Sequence, residues 1–158
     1  MLRFVACFVA VAGLAVALTA CGKSIGDECT ISTDCSNDGD RACDRSQPGG
    51  YCTVEGCDES SCGDEAVCIR FFSAKFLTRA CDPMAEDAPE GTDDCIGSEL
   101  CLPEGLCAPR ASERRYCAAS CSDDGDCRGG YECRLSGTRG SVALTTDSNA
   151  TPRFCAPR

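Results

Sequence analysis

The chain has 158 residues, of which 18 are cysteine and none is histidine or tryptophan, and its formal net charge is −10. Without imidazole there is no histidine-based triad or general base, and the acidic balance argues against nucleic acid as a partner. Cysteine at this density marks a disulfide scaffold rather than a protein held by a large apolar core.

In residues 1–20, 17 positions are hydrophobic and the only charge is Arg3, followed by an apolar run from Phe4 to Ala20. A positive start, an apolar stretch and a small-residue exit form the layout of an export signal. The run is at the lower limit for crossing a hydrocarbon core, which disfavours an uncleaved transmembrane helix.

The exit reads Leu18-Thr19-Ala20-Cys21, and here the chain resembles the bacterial lipoprotein signal, with its aliphatic residue, two small residues and cysteine. The resemblance implies cleavage before Cys21, a diacylglyceryl group on its sulfur, and an acylated amino terminus (palmitate being a common acyl group). By the same resemblance Gly22, standing where an aspartate would retain the protein at the inner membrane, favours the outer membrane of a Gram-negative cell envelope. Parity agrees: with Cys7 lost in the signal and Cys21 lipidated, 16 of the 18 cysteines remain, an even number. Residues 21–28 then form a lipidated tether, whose seven residues after Cys21 reach about 25 Å when extended. The expected partner of Cys21 is the lipid bilayer.

From residue 21 onward, Leu, Ile, Val and Phe number 17 in 138 positions, about 12 per cent and below the level at which charged chains usually fold on apolar burial alone. Export places the chain where disulfides persist. Zinc is the competing use of thiols, but structural zinc sites favour closely spaced C-x2-C pairs and often histidine, and neither occurs in this sequence. The expected disulfide cysteines, with pairing open, are Cys29, Cys35, Cys43, Cys52, Cys57, Cys62, Cys68, Cys81, Cys95, Cys101, Cys107, Cys117, Cys121, Cys127, Cys133 and Cys155.

These divide into a lobe at 29–81 and a lobe at 95–158, separated by the linker "DPMAEDAPEGTDD" at 82–94, with six acids and no base. A shorter period is visible inside the lobes. Cysteines preceded by Asp or Ser open four stretches, at Cys35, Cys62, Cys95 and Cys127, and a second and third cysteine follow in each. The second stretch runs to Cys81; the third has no leading cysteine of its own and can borrow Cys81 or the surplus Cys117. Turn signals lie between the last two cysteines: "QPGG" at 47–50, "PEG" at 103–105, and "SA" at 73–74 between "VCIRFF" and "KFLTRAC". Such runs predict two-stranded ribbons. The fold class expected is small and disulfide-rich, with short β-ribbons and loops and little regular helix outside the signal peptide. The "xDC" spacing resembles cysteine-rich repeats of secreted proteins from Gram-negative soil bacteria and, distantly, the Dickkopf-type module.

No residue combination suggests catalysis, and neither a catalytic residue nor a cofactor is expected. "DCSNDGD" at 34–40 makes Asp34, Asp38 and Asp40 a weak calcium candidate, opposed by Arg45 where an EF-hand loop needs glutamate; "CSDDGDC" at 121–127 is similar. An Asn-Asp-Gly turn explains both. "RASERRY" at 110–116 is locally basic but reads as a connecting segment. The longest cysteine-free stretch of the exported part, 134–154, is a contact loop, centred on residues 139–147, or a plain insertion. The function expected is a non-enzymatic, membrane-anchored surface lipoprotein with a binding or envelope-structural role. The alternatives are a protease-inhibitor-like protein acting through loop 134–154 and a calcium-dependent adhesion module.

Overall fold

The computed structural model describes residues 22–85, 94–147 and 150–158. The signal peptide, Cys21 and residues 86–93 of the acidic linker lie outside the described residues. All sixteen expected cysteines are joined, and the pairing repeats a single rule four times. In unit 1 the bonds are Cys29–Cys43 and Cys35–Cys52. Unit 2 has Cys57–Cys68 and Cys62–Cys117, unit 3 has Cys81–Cys101 and Cys95–Cys107, and unit 4 has Cys121–Cys133 and Cys127–Cys155. The first cysteine of each unit bonds the third and the second bonds the fourth, at Cα separations of 5.4 to 6.0 Å.

The third and fourth cysteines are direct cross-strand neighbours. Strands β1 (Ala42–Cys43) and β2 (Cys52–Thr53) set Cys43 opposite Cys52. β3 (Ala66–Phe71) runs against β6 (Arg114–Ala119), with Cys68 opposite Cys117. β4 (Glu99–Cys101) and β5 (Cys107–Pro109) pair Cys101 with Cys107. β7 (Tyr131–Leu135) and β9 (Arg153–Pro157) pair Cys133 with Cys155. An isolated two-stranded ribbon is marginal in water. Here both strands of each ribbon are bonded to the loop in front of it, so the ribbon cannot fray without breaking a covalent link.

The residue before each second cysteine holds that loop closed. The amide just after the first cysteine donates to it in every unit: Thr30 N–H to Asp34 Oδ2 at 2.8 Å, Asp58 N–H to Ser61 Oγ at 3.0 Å, Asp82 N–H to Asp94 Oδ2 at 3.1 Å, and Ser122 N–H to Asp126 Oδ2 at 2.7 Å. This is the physical content of the recurrent Asp or Ser before cysteine: a side-chain acceptor that satisfies a turn amide. The expected acidic linker is therefore the first loop of unit 3, an enlarged version of the loops at 29–35, 57–62 and 121–127.

Three sequence expectations need correction. Unit 2 closes on Cys117 instead of Cys81, and unit 3 is inserted between the two strands of its ribbon. Two disulfides, Cys62–Cys117 and Cys81–Cys101, consequently join the lobes at 29–81 and 95–158, which are not separately closed. The "SA" ribbon is absent: 74–76 is a 3-10 turn, and β3 instead pairs with β6 and with β8 (Ser141–Ala143) in the order β6-β3-β8. The alternation of Val67, Ile69 and Phe71 finds a matching face there, closing a core with Ala118, Phe154 and Ala156. Finally, 22–28 is no free tether. Ile25 is buried with Tyr51 and Tyr131, and the Gly26 amide donates to the Cys52 carbonyl at 2.9 Å. At φ +98, with an added Cβ only 2.8 Å from that of Ala119, Gly26 is a position only glycine fits.

Candidate functional site

Cys21 lies outside the described residues. Of the calcium candidates, Asp34 accepts two backbone amides, Thr30 at 2.8 Å and Ile31 at 3.1 Å, which hold its carboxyl below the ordinary range. Asp40 is lowered first by the Ser36 hydroxyl, and the Asp38 amide donates to the same Ser36 Oγ at 3.2 Å. Among the described residues, every group of three ligand atoms within 4.8 Å of one another consists of disulfide-bonded cysteines, joined once by Glu99; residues 34–40 supply no carboxylate group of this kind. In 121–127, Asp126 likewise accepts the amides of Ser122 and Asp123.

The stretch 134–154 is largely tied to the body. Glu104 accepts the amides of Arg139 at 2.7 Å and Gly140 at 2.6 Å, the Gly140 carbonyl accepts from the Phe72 amide at 2.7 Å, and 141–143 is β8. Thr146 donates through its amide to Glu59 at 2.6 Å. Of the expected contact segment 139–147, its first five residues are a docked strand and its approach, which corrects the reading of a plain insertion. The Arg139 side chain projects, 65 % exposed, with Nη1 2.8 Å from Glu132.

Among the concavities that the described residues form between units, two are lined by several aromatic residues. One, of about 320 Å³, is bordered by Asp44, Tyr51, Tyr116, Arg134 and Ala156. Its charged groups already have partners: Asp44 accepts from Ser46 and Gln47, and Arg134 donates to Glu132 and to the Pro157 carbonyl. It is a seam where units 1, 2 and 4 meet.

The other, a groove of about 560 Å³, has a different character. β3 ends at Phe71 directly opposite Arg114, the first residue of β6. The chain leaving β3 makes the 3-10 turn Ala74–Phe76, and the chain entering β6 makes a second at Arg110–Ser112. The floor is apolar because Phe72 packs with Leu102 and Ala108 of unit 3. Phe71, Phe76 and Pro109 line the groove, with Lys75 and Arg114 at its rim. Phe76 is 42 % exposed, and the Lys75 ammonium stands 4.6 Å from its ring centre.

Beside the groove, one partly buried carboxylate, next in the chain to Arg114, takes up two of the local bases. Burial pushes Glu113 up, but hydrogen bonds from Arg70 and Arg115 outweigh it and hold the carboxyl below its ordinary range. Glu113 thus pairs with two of the five bases in residues 70–76 and 110–116 and offsets one of their two charges. Lys75, Arg110 and Arg114 make no ion pair with any described residue. A chain with net charge −10 therefore carries one face where cations and aromatic rings gather. Sequence reasoning passed over it because "RFFSAKF" and "RASERRY" are distant along the chain and meet only through the β3–β6 register.

No family model matches the chain, and no curated protein or solved structure matches it.

Proposed function

We propose that this protein is a non-enzymatic lipoprotein of the bacterial envelope, fastened through acylated Cys21, in which four disulfide-stapled units serve as a binding or structural module beside the membrane. The observation that carries the reading is the closure of the disulfide framework. Every cysteine from Cys29 to Cys155 pairs within it, so the sulfur at Cys21, placed directly after an export-type apolar run, is not needed by any of the eight bonds. Two or three acyl chains hold firmly where one holds marginally. Because residues 22–28 pack on unit 1, the body stands against the bilayer instead of swinging on a leash.

Metabolic labelling with a radioactive fatty acid, followed by membrane fractionation, tests the anchor. The expected result is a labelled, membrane-associated protein whose Cys21→Ala variant is unlabelled. An unlabelled native protein would overturn the reading.

A further inference from the structure

We propose that the groove between the two 3-10 turns is a second membrane contact, specific for an anionic lipid surface, which sets the orientation of the anchored body. The inference rests on the lipoprotein reading and goes beyond it in naming which face meets the bilayer. A lipid anchor at one point leaves a body free to pivot, and a chain of net charge −10 is on balance repelled by anionic headgroups. The groove departs from that balance. It joins two cations that make no ion pair with any described residue, Lys75 and Arg114, to a half-exposed ring, Phe76, with Arg110 next along the chain to its lining residues. Cations flanking an exposed aromatic are what the headgroup boundary accommodates: the ring enters the interface while the charges meet lipid phosphates.

Geometry lets both contacts form together. Arg41 links the amino-terminal segment to the start of β3, donating to the Lys23 carbonyl at 2.5 Å and pairing with Glu65 at 3.7 Å. The groove opens at the other end of β3, where Phe71 lines it. Five residue steps along a strand span about 17 Å. With β3 lying along the surface, the segment that begins at Gly22 and the groove can meet the same leaflet. An acidic protein segment is the other polyanion the groove would suit, but the bilayer is already held beside it.

The chain has no tryptophan, so Phe76→Trp supplies a single reporter. The lipidated, oxidised variant is mixed with vesicles of phosphatidylcholine alone or with phosphatidylglycerol. Flotation reads the anchor, and the emission of the new tryptophan together with its quenching by brominated lipid reads the groove. We expect flotation on both vesicles, with a blue shift and quenching only on the anionic ones, reversed by about 1 M salt as the Debye length falls to roughly 3 Å. Adding Lys75→Ala and Arg114→Ala to the reporter should lower the surface-bound fraction ratio roughly thirtyfold without loss of flotation. Flotation on both vesicles with solvent-like tryptophan emission overturns the groove contact and leaves the anchor standing. Failure to float on neutral vesicles overturns the anchor reading, while a lipid-specific shift on anionic ones would still support the groove. A shift with soluble polyglutamate but none with anionic vesicles assigns the groove to an acidic protein and overturns the proposal.

Discussion

Replacing Arg128 by alanine tests what holds unit 4 to unit 1. Its Nη2 donates to the Pro48 carbonyl at 2.9 Å, to the Gly50 carbonyl, and to Tyr131 Oη at 2.6 Å. The guanidinium carbon lies 4.3 Å from the Tyr131 ring centre and 5.6 Å from that of Tyr51, and these rings stack on each other at 5.5 Å. A hydrogen bond involving a charged donor contributes about 1.5–3 kcal/mol and each cation–π contact about 0.5–1 kcal/mol at a partly open site. Against this, the buried Nε has no partner, a cost of roughly 1 kcal/mol or more that alanine removes. The three carbonyl and hydroxyl acceptors share one nitrogen, so their contributions do not add in full, and the net loss is about 2–3 kcal/mol. Arg128→Lys, which keeps charge but lacks the planar fork, should fall between. The assay is urea denaturation of disulfide-intact protein followed by tyrosine near-UV circular dichroism. A change below about 0.5 kcal/mol for Arg128→Ala, the range of ordinary surface substitutions, would refute the reasoning and assign the joint to apolar contact and disulfides alone.

Removing Cys62–Cys117 by paired alanine substitutions should cost about 4 kcal/mol and removing Cys57–Cys68 about 3 kcal/mol, because their sequence separations are 55 and 11 and loop entropy grows with the logarithm of length; denaturant midpoints of the two variants check the order. Acid should destabilise the fold through the closing carboxylates. Asp34 and Asp126 are lowered by backbone amides and Asp58 by the Ser61 and Ser60 hydroxyls, so their stabilisation is present above the ordinary aspartate value of about 4 and lost as pH falls through the lower folded values. Midpoints measured across that window should flatten in the Asp34→Asn/Asp126→Asn protein. Unit 3 should be removable: Phe71 and Arg114 are direct partners, so an Asn-Gly turn in place of residues 72–113 restores a tight hairpin. The product should hold its remaining twelve framework cysteines in six disulfides, seen as complete resistance to alkylation before reduction.

Much of the fold was legible in the residues. Parity told which sulfurs join the framework, the Pro-Gly turns at 47–50 and 103–105 located two ribbons, and the Asp or Ser before cysteine marked the four units. What escaped depends on contacts between distant residues. Cys81 is the next cysteine after Cys68 and completes a plausible count, yet β3 pairs with β6, where Tyr116 and Ala118 extend the apolar face that Val67 and Ile69 begin. No local signal announces an insertion when the inserted piece obeys the same cysteine rule as its host. Residues 22–28 looked like a tether because one isoleucine among polar neighbours carries little periodicity, but Ile25 fills the space beside Tyr51 and Tyr131. The basic groove was hidden for a similar reason: each half is unremarkable until the register sets Phe71 against Arg114.

The most direct measurement is the intact mass of the protein extracted from membranes, before and after reduction and alkylation. The expected result is a chain beginning at Cys21 with acyl mass added and sixteen alkylation sites, none reactive until the disulfides are reduced. A retained segment 1–20, an unmodified Cys21, or thiols open to alkylation in the native protein would contradict it.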